Sequence, residues 1–177
     1  MLAQNVFDVQ AVGRKAIEAV EVTQLPLECR VFTNDTRWPG FKAWAPFLGF
    51  GWIGRFPTKN TFVIDPTTAV ADSLADIFGT QKELAHEQFF RRLAEVLPVL
   101  DGGKYRLQVE AKINRENWKE PKPDEVSTSL SRALSRLHER GDLVLDDRAD
   151  ASKRTLLGRN NRVLRNVSHI VWKGGKK

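Results

Sequence analysis

Between Trp38 and Phe62 the chain gathers eight of its 16 aromatic residues. They are interleaved with Gly40, Gly49, Gly51 and Gly54 and with Pro39, Pro46 and Pro57. Glycine and proline at this density break any long helix, so the stretch predicts short extended pieces and turns, including FGWIGRF and TFVID. Two uses of the rings are open. Interleaved with Arg37, Lys42, Arg55 and Lys59, they could stack on unpaired bases. The commoner use is core volume for a small module whose strands are short.

The flanking segments are more regular. Val9, Val12, Ala16, Ile17 and Val20 have helical spacing over residues 5–22, and LECRVF then predicts a short strand. In DPTTAVADSLADIFG, Asp65 is placed to cap a helix, Pro66 suits its first turn, and Ala69, Val70, Leu74 and Ile77 form its buried side, with Gly79 as the stop. TQKE then has capping-box spacing, and Leu84, Phe89, Leu93, Val96 and Leu97 predict a helix to Pro98. YRLQV alternates as a strand does, and the paired prolines of KEPKPDE predict a loop. Two parts follow: an aromatic-rich module over residues 1–79 and a second domain over 80–177.

Charge is unevenly spread. The net charge is +6, yet residues 151–177 carry eight basic side chains and no acidic one, leaving −2 on the first 150. Such a cluster is what is expected where phosphates are approached; the plain alternative is a solubilising tail. Leu and Val mixed with the arginines argue against a tail. No apolar run suits a membrane span and no export signal opens the chain, so a cytoplasmic protein without a membrane partner is expected. The lone Cys29 excludes an internal disulfide, and the three dispersed histidines give no metal-ligand spacing, so neither metal nor cofactor is expected.

The phrase STSLSRALSRLHERGDLVLDD, residues 127–147, puts Leu130, Ala133, Leu134 and Leu137 on one helical face. Thr128, Ser131, Arg132, Ser135 and Arg136 fall opposite. Short hydroxyl side chains at a helix start let the backbone approach DNA, and an arginine one turn along can reach guanine O6 and N7. Gly141 suits the stop and DLVLDD the following strand. With the order helix 80–98, strand 105–109, short helix near 110–118, turn, helix 125–140 and strands near 143–147 and 167–172, the C-terminal half resembles the winged helix-turn-helix domains, the MarR-like ones most closely. That resemblance implies an α+β protein whose helix 125–140 enters the major groove. Its long basic wing, with Lys153, Arg154, Arg159, Arg162 and Arg165, lies on the backbone. The long proline-bearing turn departs from that family's tight turn.

The function expected is non-catalytic binding of double-stranded DNA, as a transcriptional regulator or as the DNA-contacting subunit of a larger assembly. Two alternatives stand beside it. A winged helix can serve as a protein-interaction adaptor among the subunits of a complex. Asp101 with Glu110 and Lys112 also resembles the D…ExK pattern of PD-(D/E)xK nucleases, where two carboxylates hold a divalent metal. No phosphate loop or nucleophile elbow is present, and His86, His138 and His169 read as structural or surface residues.

Overall fold

The computed structural model describes residues 1–7, 13–56 and 59–174. It is a mixed α+β structure. In chain order the elements are α1 (Arg14–Gln24), α2 (Arg37–Phe47), β1 (Gly51–Phe56), β2 (Lys59–Ile64), α3 (Thr67–Phe78), β3 (Glu83–Ala85) and α4 (His86–Val96). Then come α5 (Lys104–Glu110), β4 (Glu125–Val126), α6 (Thr128–Glu139), β5 (Leu143–Asp146), β6 (Arg154–Leu157), β7 (Val163–Val167) and β8 (His169–Trp172). Among the described residues no helix is long and apolar enough to cross a membrane.

The extended pieces expected in FGWIGRF and TFVID are strands, and they form a hairpin: β1 pairs antiparallel with β2, Gly51 opposite Ile64. Residues 37–47, expected to be irregular, are instead helical. Both prolines sit where a helix tolerates them, Pro39 in the first turn and Pro46 in the last, so little of the hydrogen-bond ladder is lost. Trp38 and Ala45 then fall on a buried face and pack with Ile17, Phe32, Phe62 and Ile64. The Trp38 and Phe41 rings stack at 5.6 Å, and Phe62 meets Phe41 edge-on at 5.0 Å. These rings supply core volume. LECRVF forms a short 3-10 turn at Leu27–Cys29, not a strand. Of the helix expected over 5–22, residues 8–12 lie outside the described residues, and the described helix starts at Arg14.

The larger core joins α3, α4, α6, β5, β6 and β8 through Val70, Leu74, Phe78, Phe89, Leu134 and Ile170 among others. α3, which the sequence grouped with residues 1–79, packs in this C-terminal core. Around it β3, β8 and β5 form a three-stranded antiparallel sheet in that order, with Leu84 and Leu145 both opposite Ile170. A second sheet runs β4-β6-β7, with β4 parallel to β6. Helix 80–98 is shortened at its start, because residues 83–85 are drawn into β3.

Residues 105–109, expected as a strand, lie within α5. The alternation misleads here, because Tyr105, Leu107 and Val109 are exposed while Arg106 is buried. The helix begins where the Pro98 carbonyl accepts from the Tyr105 and Arg106 amides. Arg106 then binds Glu110 one turn on, a pairing only a helix supplies. Gly103 is required at the entry, since a Cβ there would lie 2.4 Å from the Pro98 carbonyl oxygen. The short second helix expected near 110–118 is not found; beyond α5, those residues are turns and loop.

Candidate nucleic-acid interface

α6 begins at Thr128 and not at Glu125, because Glu125 and Val126 pair with Thr155 and Leu156 of β6. Ser127 caps it, its Oγ accepting from the Leu130 amide at 3.4 Å. The apolar stripe is as expected, with Leu130, Ala133, Leu134 and Leu137 fully buried. The opposite, hydroxyl-bearing face is not free. Thr128 is 5% exposed and its Oγ1 accepts from the Val6 amide at 3.1 Å. Ser131 is 0% exposed, donating to the Val126 carbonyl at 3.0 Å and accepting from the Leu157 amide at 2.9 Å. Both are therefore spent inside the molecule, where small hydroxyls satisfy backbone groups of neighbouring segments. Neither can touch a base in this structure.

Arg136 is likewise engaged, bound to the buried carboxylate of Asp65. Asp65 also accepts from the Trp52 indole at 3.3 Å and the Thr67 amide at 3.2 Å. It thus ties the β1–β2 hairpin and the start of α3 to α6. Arg132 and Ser135 keep partial exposure. Burial pulls the Arg132 pKa below the usual guanidinium value.

The basic segment is a β-hairpin, β6–β7, placed between β5 and β8 in the chain. Its turn uses Asn160 and Asn161 at φ 57° and 56°, a left-handed conformation asparagine tolerates better than most residues. Arg159, Arg162 and Arg165 are all exposed, and none has a carboxylate partner among the described residues. Arg165 donates to the Leu145 carbonyl at 3.0 Å, which holds β7 against β5. Arg154 lies over the Phe90 ring at 5.0 Å, and Lys153 pairs with Asp147 at 2.6 Å. Three of the five expected wing cations are thus open to solvent without an acidic neighbour. The other two, like Arg165 on the Leu145 carbonyl, are partly spent on the protein.

The D…ExK residues do not form an open carboxylate pair. Asp101 and Glu110 both bind the guanidinium of the buried Arg106, Glu110 from one turn further along α5. Asp101 further accepts from the Ser127 amide at 2.7 Å and hydroxyl at 2.6 Å. Lys112 instead lines the rim of an apolar groove of about 750 Å³ between α1, α2 and α5. Among the described residues no three His, Cys, Asp or Glu side chains come together as a metal cluster would need. The sequence signal for this buried cluster was the Arg106–Glu110 spacing.

A serine–histidine contact also emerges. His86 Nε2 lies 3.0 Å from Ser152 Oγ, which reaches Glu87 at 3.3 Å. Among the described residues His86 Nδ1 is buried with no partner, and none of them orients the ring as the third group of a nucleophilic triad would. Burial lowers the His86 pKa, leaving the ring neutral at neutral pH.

Fold and surface together define an α+β protein that presents a basic hairpin beside a buried, hydroxyl-capped helix. The chain belongs to the DpdG-like family, whose model matches residues 1–151. That span runs through β5 and stops short of the β6–β7 hairpin. No curated protein and no solved structure matches the chain.

Proposed function

We propose that this protein binds double-stranded DNA without catalysis, gripping the backbone with the β6–β7 hairpin of a winged helix-turn-helix. It would act as a regulator or as the DNA-contacting subunit of a larger assembly. The observation that carries the reading is the trio Arg159, Arg162 and Arg165, exposed on one hairpin with no carboxylate partner among the described residues. Surface cations left unpaired in this way favour a polyanion. The order α3-β3-α4, then α5 and β4, then α6-β5 and, after β6–β7, β8, with the sheet β3-β8-β5, supports the winged-helix part. In that arrangement the recognition-helix position before β5 belongs to α6 and the wing to β6–β7. The burial of Thr128 and Ser131 shifts the weight of contact from α6 to the hairpin, with Arg132 and Ser135 as the side chains α6 can still offer.

Binding of a fluorescent duplex, followed by anisotropy across a salt series, tests the reading. Replacing Arg159, Arg162 and Arg165 by alanine should weaken binding and flatten the slope of log K against log salt by about 2–3, near one for each phosphate no longer neutralised. Equal affinity and slope for wild type and variant would end it. The protein-adaptor reading is favoured by one observation, the exposed aromatic side chains of α2 and β1.

A further inference from the structure

The N-terminal module leaves a strand open. β1 pairs with β2 on one side only, and among the described residues no backbone group pairs with its other edge. Two neighbouring side chains of β1 reach solvent on opposite faces, Trp52 at 42% and Ile53 at 51% exposure, while Gly54 between Ile53 and Arg55 is buried. β2 behaves differently, with Phe62 and Ile64 buried. β1 has no proline and no bulge against β2, two of the devices that protect natural edges.

The edge has a definite register. The Asp65 amide donates to the Phe50 carbonyl at 3.1 Å, extending the pairing of Gly51 with Ile64 by one step. In an antiparallel ladder the hydrogen-bonded pairs alternate. Trp52, Gly54 and Phe56 therefore face β2 with their backbone groups, whereas Gly51, Ile53 and Arg55 turn theirs outward. An outward set spaced evenly about Ile53 is self-complementary under a twofold axis.

We propose that β1 is the seam of a homodimer, two copies pairing antiparallel with Ile53 opposite Ile53 and Gly51 opposite Arg55. The hairpins of the two copies then form one four-stranded sheet. The side chains beside the seam supply the area. Trp44 is 63%, Phe47 79% and Leu48 54% exposed, and they lead directly into β1. Trp44 and Phe47 already meet edge-on at 5.7 Å, forming a preorganised aromatic anchor. With Trp52 and Ile53, which lie on opposite faces, these groups present on the order of 600 Å² of surface per copy, so two copies would bury at most about 1,200 Å². That upper limit matches the lower bound for a specific interface, before the strand backbone is added.

Sedimentation equilibrium of the full chain, from about 1 to 100 µM, tests the seam. A monomer–dimer equilibrium is expected, with Ile53→Lys and Trp44→Ala each weakening it by roughly tenfold or more. Circular dichroism of each variant checks that it folds. Hydrogen exchange gives a readout without substitution: the outward amide of Ile53 should be slow at high protein concentration and fast at low, while that of Gly54 stays unchanged. A chain that stays monomeric at about 100 µM, whatever else it captures, overturns the proposal. So does a dimer that both variants leave intact, or an Ile53 amide whose exchange ignores concentration.

Discussion

Arg106 shows what one side chain can hold. It is 4% exposed and lies between Asp101 and Glu110, and it also donates to the Leu2 carbonyl at 3.1 Å. The guanidinium is therefore paired, and its neighbours are fixed by it. Asp101 in turn receives Ser127, the residue that caps α6. Removing a partner from a buried ionic cluster leaves uncompensated charge, which costs about 3–5 kcal/mol. Arg106→Ala should lower the urea unfolding free energy by that amount, whereas the exposed Arg162→Ala should change it by less than about 0.5 kcal/mol. Similar losses for the two would refute the assignment. The same residue explains why the nuclease-like spacing misled. Spacing reports which carboxylates come near each other, but not whether a cation of the chain already stands between them.

At the scale of elements, apolar periodicity was the legible signal. α3, α4 and α6 appear where Leu74, Leu93 and Leu134 recur at helical intervals, and β5 and β8 where short apolar runs, LVL and IVW, stand. What could not be read is how segments far apart in the chain satisfy one another. The hydroxyls of Thr128 and Ser131 look like a free face until Val6 and Leu157 arrive to use them. α5 hid for the same reason, since its buried residue is an arginine whose partners lie partly outside the helix. The joint between α2 and α3 is another long-range fact. Gly49 has φ 76°, and a Cβ there would lie 2.6 Å from the Ala69 backbone nitrogen, whose amide donates to the Gly49 carbonyl at 3.1 Å. A left-handed residue pressed on backbone has no room to relax. Gly49→Ala should destabilise by at least about 1–2 kcal/mol, the cost of the left-handed conformation alone, read from the shift of the urea midpoint at constant slope. Gly141→Ala, at the end of α6, meets no neighbour and should cost only the conformational part at its φ of 80°. An equal or larger loss at Gly141 would show that the joint gives way around an added methyl.

Across the whole molecule, His86 couples the sheet and helix body to the hairpin. It opens α4, its amide is anchored by donating to the Ser168 carbonyl at 2.8 Å, and its ring reaches Ser152 just ahead of β6. Desolvation is the largest influence on the ring and lowers its pKa from 6.5; Arg154 and His169 push the same way, while Glu87 and the Ser152 contact oppose them. The sign follows from proton binding. Below the ordinary imidazole value the unfolded chain takes up a proton that the folded one resists, so stability falls as pH drops from 6.5 toward the lowered folded value. Well above 6.5 both states are neutral and the group contributes no pH dependence. Other groups titrate in the same range, so the comparison must be with His86→Phe, which keeps an apolar ring and loses the proton. Between about pH 7 and pH 5 the wild type should lose more urea stability than the variant, and the two curves should run parallel above about pH 7. If charging the ring also loosens Ser152, the hairpin amides of Thr155 and Leu156 should exchange faster at the acid end in the wild type alone. Parallel curves over the whole range would mean that the ring is solvated and that the hairpin is held to the body without it.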